Sequence, residues 1–263
     1  MKIKLSIVLT FVLFQSCKTQ KFQSKTLLPK IENQIEGELD YSKGGFELVQ
    51  WQQSGDEITL GRIDEKGNII FNLPEYDIRS LGRNHHGSSL QSQFNMIKCK
   101  GKGEYNMMGQ ALFKTPYDDV YSQMYPPMFI KKYGVCIAYV RIVSDERILI
   151  KGNWDKIIGS KYFWMYIDRD LEYNDTCIRE SFKDPDLEFE LTADVSFKKG
   201  WNFIKSDLVE VQNCGENDEQ ITPKKTEFTI GNPNSKDVKW YIVRKMNSEN
   251  IQVAKKEYEL EHE

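Results

Sequence analysis

Apolar and polar residues alternate in several short segments of this chain. The alternation is clearest in residues 187–192, and it recurs in residues 46–51 and 68–73. Successive side chains of a β-strand point to opposite faces, so a period of two predicts strands with one buried and one exposed face. Gly67, just before residues 68–73, can adopt the positive φ that a tight hairpin requires.

Two further segments, residues 135–143 and 162–167, are apolar at nearly every position. Such runs predict strands that are covered on both faces. No helical period of useful length follows the first 16 residues, and this absence favours the same fold class. We expect an all-β protein with one or two antiparallel β-sandwich units. The N-terminal unit is expected at residues 35–98 and the C-terminal one at residues 99–250.

The first residues have the pattern of a secretory signal peptide. Two lysines precede a largely apolar run at residues 5–14, and Ser16 stands directly before Cys17. The run has only about half of the roughly 20 apolar residues that a transmembrane helix needs. Residues 1–16 are therefore predicted to be a signal peptide and not a permanent membrane span.

The sequence Phe14-Gln15-Ser16-Cys17 resembles the cleavage site of bacterial lipoprotein signal peptides, in the looser form typical of Bacteroidetes. This resemblance implies that Cys17 becomes the first residue of the mature protein and carries two or three acyl chains. Membrane lipid is then a partner of the protein. Each buried CH₂ contributes about 0.8 kcal/mol, so several chains hold a protein on its bilayer durably.

Longer motifs extend the resemblance. The stretch GELDYSKGGFELVQW, followed by IDEKGNIIFNLP, is similar to the opening of transthyretin-like or carboxypeptidase-regulatory-like β-sandwiches. With the strand motif YIDRD, the turn KKGWN and a terminal KWY strand, the chain resembles small Bacteroidetes outer-membrane lipoproteins. The resemblance implies the cell outer membrane as the location. Residues 18–21 carry none of the acids typical of surface-exported members, which favours the periplasm-facing side.

Charge distinguishes the two termini from the body. Residues 17–34 are polar and lysine-rich and are expected to form the lipidated tether. Residues 251–263 carry glutamates at alternating positions and are expected to be a solvated acidic tail. The formal net charge of the chain is -3, which does not indicate the basic surface of a nucleic-acid-binding protein.

Five cysteines are an odd number, and lipidation of Cys17 accounts for the odd one. The remaining four can pair in three ways in the oxidising envelope. Pairing in chain order joins Cys99 to Cys136 and Cys177 to Cys214, and each loop of about 40 residues would stabilise the fold by roughly 4 kcal/mol. The alternative is that Cys136 stays a buried thiol in its apolar strand.

Three features were candidates for a binding site, and one of them favours a ligand. The pair His85-His86 lacks a third converging metal ligand, and the acidic run 168–175 lacks the glycine and late glutamate of a calcium loop. Trp154 lies in a loop, where an amphipathic ring can stack on a sugar. No catalytic residue, metal or cofactor is expected, because a nucleophile elbow, a P-loop and an HExxH segment are missing.

These observations favour a non-enzymatic, lipid-anchored cell-envelope lipoprotein that serves as a structural or interaction module. Its partner, beyond membrane lipid, would be an envelope protein or a glycan. The alternative is a carbohydrate-binding accessory lipoprotein of a polysaccharide-utilisation system, which an exposed aromatic patch would favour. An enzyme with dispersed carboxylates is a third hypothesis, which a deep acidic cleft would favour.

Overall fold

The computed structural model describes residues 31–36, 39–51, 57–74, 90–104, 115–117, 120, 122–125, 128–180, 187–214, 220–244, 246 and 248–262. The strands in these residues are β1 (Ile31–Glu36), β2 (Phe46–Trp51), β3 (Glu57–Ile63), β4 (Asn68–Phe71), β5 (Ser122–Tyr125), β6 (Met128–Lys132), β7 (Val135–Val143), β8 (Gly159–Ile167), β9 (Leu171–Glu180), β10 (Glu188–Phe197), β11 (Gly200–Cys214), β12 (Gln220–Ile230) and β13 (Lys239–Arg244). The helices are α1 (Leu90–Gln93) and α2 (Ser248–Glu261), with 3₁₀-helices at Tyr41–Lys43 and Glu146–Leu149. The predicted all-β class is confirmed.

Seven strands close into a ring in the order β1, β4, β3, β2, β6, β7 and β13, and β13 pairs again with β1. The β1–β13 pair is parallel and the other pairs of the ring are antiparallel. In β4, β6 and β13 alternate residues point inward, as the period of two requires. The ring is filled by a core that includes Leu48, Ile69, Ile130, Val140 and Trp240.

Gly61 allows β3 and β4 to approach each other closely inside the ring. A Cβ atom at this position would lie 2.3 Å from the backbone oxygen of Ile70. No side chain fits at that distance, so only glycine is compatible with this pairing.

The remaining strands form an open sheet in the order β8, β11, β12, β10 and β9, with β5 on the other edge of β8. Its β10–β12 pair is parallel, so the molecule contains two parallel pairs among mostly antiparallel ones. One face of this sheet packs against the segment 90–104 in a second core that includes Phe94, Met96, Phe163 and Phe197.

The strand β8 belongs to both cores, and this explains its uniformly apolar sequence. Tyr162 and Trp164 point into the ring core, whereas Phe163, Met165 and Ile167 point into the second core. The prediction that residues 162–167 form a strand covered on both faces is therefore confirmed.

Two expectations about the layout differ from the observed structure. The ring takes β1 to β4 from the predicted N-terminal unit and β6, β7 and β13 from the predicted C-terminal unit, so neither body follows the boundary at residues 98 and 99. Residues 251–263 were expected to be a solvated acidic tail, but residues 251–261 belong to α2. That helix packs on the ring through Ile251 and the buried Ala254, while its glutamates stay exposed.

The two ends of the ring carry different elements. Ile35 of β1 lies opposite Trp240 of the parallel strand β13, so β1 begins at the end where β13 begins and β7 ends. The loop 144–158 follows β7 at this end. At the opposite end, the ring of Tyr258 in α2 lies 6.1 Å from the ring of Tyr133, in the turn between β6 and β7.

Within the described ranges, no helix combines the length and the apolar character that crossing a membrane requires.

Candidate functional site

One edge of β8 pairs with two different strands along its length. The strand β7 pairs with β8 only at Lys161 and Tyr162. From Trp164 to Ile167 the same edge pairs with β5 instead. The two neighbours diverge because β7 continues around the ring, and a cleft lies beside the point where β7 and β8 separate.

The cleft has a volume of about 220 Å³ and a mainly apolar interior. Its apolar wall consists of Phe94, Met128, Val140, Ile142, Phe163 and Phe228. These side chains come from β6, β7, β8, β12 and the segment after α1, so both cores contribute to the wall. Among the described residues that line it there is no aspartate or glutamate.

Trp154 lies at the cleft, and 37% of its surface is exposed. The surrounding loop is held by turns, in which the backbone N–H of Asn153 donates to Ile150 O and that of Lys156 donates to Asn153 O, both at 2.9 Å. The 3₁₀-helix before it is capped by Asp145, whose carboxylate accepts from the backbone N–H of Arg147. These local bonds hold the loop that carries the indole.

Arg141 is the cation on one side of the Trp154 ring. Its guanidinium carbon lies 4.8 Å from the indole centroid and 5.2 Å from the centroid of the Tyr139 ring. Burial lowers the pKa of Arg141, and the Tyr139 hydroxyl partly opposes this shift. No carboxylate of the described residues forms an ion pair with this guanidinium.

Lys161 is the second cation at the same indole. Its Nζ lies 4.7 Å from the Trp154 centroid and 2.7 Å from the exposed carboxylate of Asp155. Two cations thus flank one aromatic ring at the cleft, and only one of them is neutralised by a protein carboxylate. The arrangement attracts an anion and offers it a half-buried guanidinium donor.

A disulfide between Cys99 and Cys177 fixes the segment that forms the far wall of the cleft. The backbone N–H of Lys100 also donates to Ile178 O at 2.7 Å. Arg179 Nη1 donates to both oxygens of Asn95, at 3.1 and 3.2 Å. These contacts tie the segment after α1 to β9 and bring Phe94 and Asn95 to the cleft.

The disulfide corrects the pairing expected from chain order. Cys99 pairs with Cys177 across 78 residues, and not with Cys136. Cys136 and Cys214 keep their thiols, Cys136 partly buried in β7 and Cys214 buried at the end of β11. The chain-order pairing was wrong because Cys136 lies on the ring, whereas Cys99 and Cys177 both face the second core.

The other sequence candidates do not converge on the cleft. The acids of residues 168–175 have separate protein partners, such as Arg169 for Asp168 and Lys102 for Asp175. Across the described part of the chain, no group of three or more His, Cys, Asp or Glu side chains could hold a metal ion. His85, His86 and Cys17 lie outside the described residues.

The structure places Trp154 at the cleft, together with two residues that the sequence did not single out. Arg141 and Lys161 are 20 residues apart and belong to different strands, so no local pattern joins them. The signal that could have found Arg141 is its position as the one charge within the apolar run 135–143.

No protein-family model, no curated protein and no solved structure matches this chain. The resemblance to Bacteroidetes lipoproteins therefore stays a prediction from the sequence motifs.

Proposed function

We propose that this protein is a lipid-anchored cell-envelope lipoprotein that acts as a non-enzymatic binding module. Cys17 carries the acyl chains, and the cleft beside Trp154 takes the ligand. The tether ends before Ile31 and is shorter than the expected 17–34, because residues 31–34 belong to β1. The protein acts at the outer membrane on its periplasm-facing side.

The position at which β1 begins supports the anchor and carries the proposal. Ile31 lies at the ring end that also bears the loop 144–158. That loop exposes Ile150 and Ile158, at 60% and 57% of their surface, beside Lys151 and Lys156. Exposed apolar side chains next to lysines suit insertion at a bilayer interface, although the loop as a whole carries as many acidic as basic residues. The tether and a membrane-compatible surface therefore occur at the same end.

The tether is long enough for this arrangement. Cys17 precedes Ile31 by 14 residues. An extended chain of that length reaches about 45 Å, at roughly 3.3 Å for each residue. The ring can therefore approach the bilayer or stand off from it while the acyl chains stay inserted.

The cleft supports binding more than catalysis. Its walls are apolar, and its charged groups are the cations Arg141 and Lys161. Acid–base chemistry of the glycosidase type needs two carboxylates facing each other, and the described residues that line this cleft supply none.

A carbohydrate-binding accessory lipoprotein is the second candidate, and the exposed ring of Trp154 favours it. A partly exposed indole next to a cleft can stack on the flat face of a sugar. Retention of the protein on immobilised polysaccharide, lost in Trp154→Ala, would favour this candidate.

Metabolic labelling with a fatty-acid analogue tests the anchor. We expect the wild-type protein to take up the label and Cys17→Ala to lose it, because the acyl chains are attached through that sulfur. Cys136→Ala is the matched control and should be labelled like the wild type. Equal labelling of the wild type and Cys17→Ala would refute the anchor.

Protease treatment of intact cells tests the membrane face. The labelled protein should be protected in intact cells and digested once the outer membrane is permeabilised. Digestion in intact cells would mean that the protein lies on the cell surface.

A further inference from the structure

We propose that the cleft binds a small amphiphilic anion, with a single carboxylate head and an unbranched apolar chain of six to eight carbon atoms. This inference rests on the proposed role of the cleft as a binding site. The apolar chain occupies the cleft beside the point where β7 and β8 separate, and the carboxylate contacts Arg141.

The volume and the apolar lining of the cleft indicate the length and character of the ligand's apolar chain. An apolar cavity of about 150 Å³ accepts a benzene-sized molecule, so about 220 Å³ accommodates a short acyl chain of six to eight carbons. Phe94, Met128 and Phe163 line the space from three directions. Burying each CH₂ there is favourable, because the chain leaves water for an apolar wall.

The position of Arg141 selects the head group. The guanidinium is half-buried and stacked between the rings of Tyr139 and Trp154, at 5.2 and 4.8 Å from their centroids. One of its donors is engaged by the Tyr139 hydroxyl. Because no carboxylate of the described residues pairs with it, its remaining donors can contact an incoming anion. A guanidinium presents parallel N–H groups that match the two oxygens of a carboxylate.

Two of the polar side chains at the cleft, Gln93 and Asn95, are already engaged in ways that disfavour a neutral sugar. Gln93 Nε2 donates to Ser122 O at 3.3 Å. Asn95 Oδ1 accepts from Arg179 at 3.1 Å. A sugar ring requires several donors and acceptors for its hydroxyl groups, whereas this cleft offers apolar walls and two cations.

The cleft lies at the ring end where the proposed tether attaches. The bilayer next to that end is a source of such a ligand. Trp154 belongs to the loop 144–158, at the end where β1 begins and where the proposed tether attaches. A bilayer surface is where acyl carboxylates accumulate, since their chains partition into lipid. The proposed site thus faces the compartment that holds the ligand.

Calorimetric titration with sodium octanoate tests the proposal. The protein is the mature chain, residues 17–263 with Cys17→Ser, which contains every residue that the structure describes. Octanoate is expected to bind at one site for each chain. In Arg141→Gln the affinity should fall at least about tenfold, because the carboxylate loses its charge-assisted hydrogen bonds to the guanidinium.

Matched controls separate the head group from the apolar chain. Arg147→Gln changes an exposed arginine of the same region, paired with Asp145, and should leave octanoate affinity unchanged. Ser206→Leu adds volume at the cleft and should weaken octanoate and octan-1-ol alike. Octan-1-ol should bind the wild type and Arg141→Gln equally, because it has no charge to pair with the guanidinium.

The possible failures are distinguishable from each other. Absence of octanoate binding to a folded chain, or equal affinity in Arg141→Gln and the wild type, overturns the proposed ligand class. Tighter binding of glucuronate than of octanoate also overturns it and favours an acidic sugar. None of these results alters the labelling of Cys17, which tests the anchor separately.

Discussion

Gly61 is the residue at which the ring tolerates the least change. The backbone oxygen of Ile70 occupies the space that a Cβ atom would need, at 2.3 Å. A side chain there must push β3 away from β4, and the ring cannot widen at one pair without disturbing the register of the next.

Gly61→Ala should therefore lower the free energy of unfolding by about 2 kcal/mol, as overpacking in a tight core does. Thr59→Ala, on the exposed face of the same strand, is the control and should cost less than about 1 kcal/mol. Urea denaturation of the two variants gives both values. An equal effect of the two substitutions would show that the strands can separate at this point.

For single residues, the sequence indicated whether a side chain is buried or available for binding, but not which other side chains lie next to it. Trp154 could be singled out because an exposed loop tryptophan is unusual, and Trp164 and Trp240 could be assigned to the core because they lie in apolar strands. Arg141 and Lys161 could not be joined to Trp154. Their proximity depends on the pairing of β7 with β8. The sequence of either strand alone does not indicate that the two strands pair.

The segment 90–104 is the element that completes the cleft, and it has little regular structure of its own. Its single helix, α1, has four residues, and the segment is held by the disulfide, the backbone bond from Lys100 and the bonds from Arg179 to Asn95. Its position thus depends on β9, to which these contacts tie it.

The double variant Cys99→Ala with Cys177→Ala should lose about 4.5 kcal/mol of stability, because the link no longer restricts a loop of 78 residues in the unfolded chain. Cys136→Ala is the control and should retain both the stability and the link. Peptide mapping without reduction should recover Cys99 joined to Cys177. A recovered link from Cys99 to Cys136 would contradict the observed packing.

Among the elements, strands were predictable and the C-terminal helix was not. The glutamates of residues 257–263 alternate as they would on a strand edge. This alternation of period two led us to miss the helical period in the same residues. The helical signal is the spacing of Ile251, Ala254 and Tyr258, at intervals of three and four residues. Only these few side chains pack on the ring, so the apolar period is short and weak.

The whole molecule has two unlike ends. The first strand, the loop 144–158 and Trp154 share one end of the ring, while α2 and its exposed glutamates lie at the other. The exposed Ile150 and Ile158 of the first end suit contact with a bilayer, whereas the exposed glutamates of the second end are repelled by anionic head groups. This polarity suits a protein that is tethered through the residues before β1.

The closure of the ring was beyond prediction from the sequence. It depends on the parallel pairing of Ile35 with Trp240, two positions separated by most of the chain. Alternating residues predict that strands exist but not which of them become neighbours. For this reason the expected division at residues 98 and 99 placed strands of one ring in two units.

Mass spectrometry of the N-terminal peptide of the native protein, purified from membranes of its own cells, tests the central claim most directly. We expect the chain to begin at Cys17 and the peptide to carry the added mass of two or three acyl chains. An N-terminal peptide without acyl groups, or a chain that begins at any other residue, would contradict the anchor.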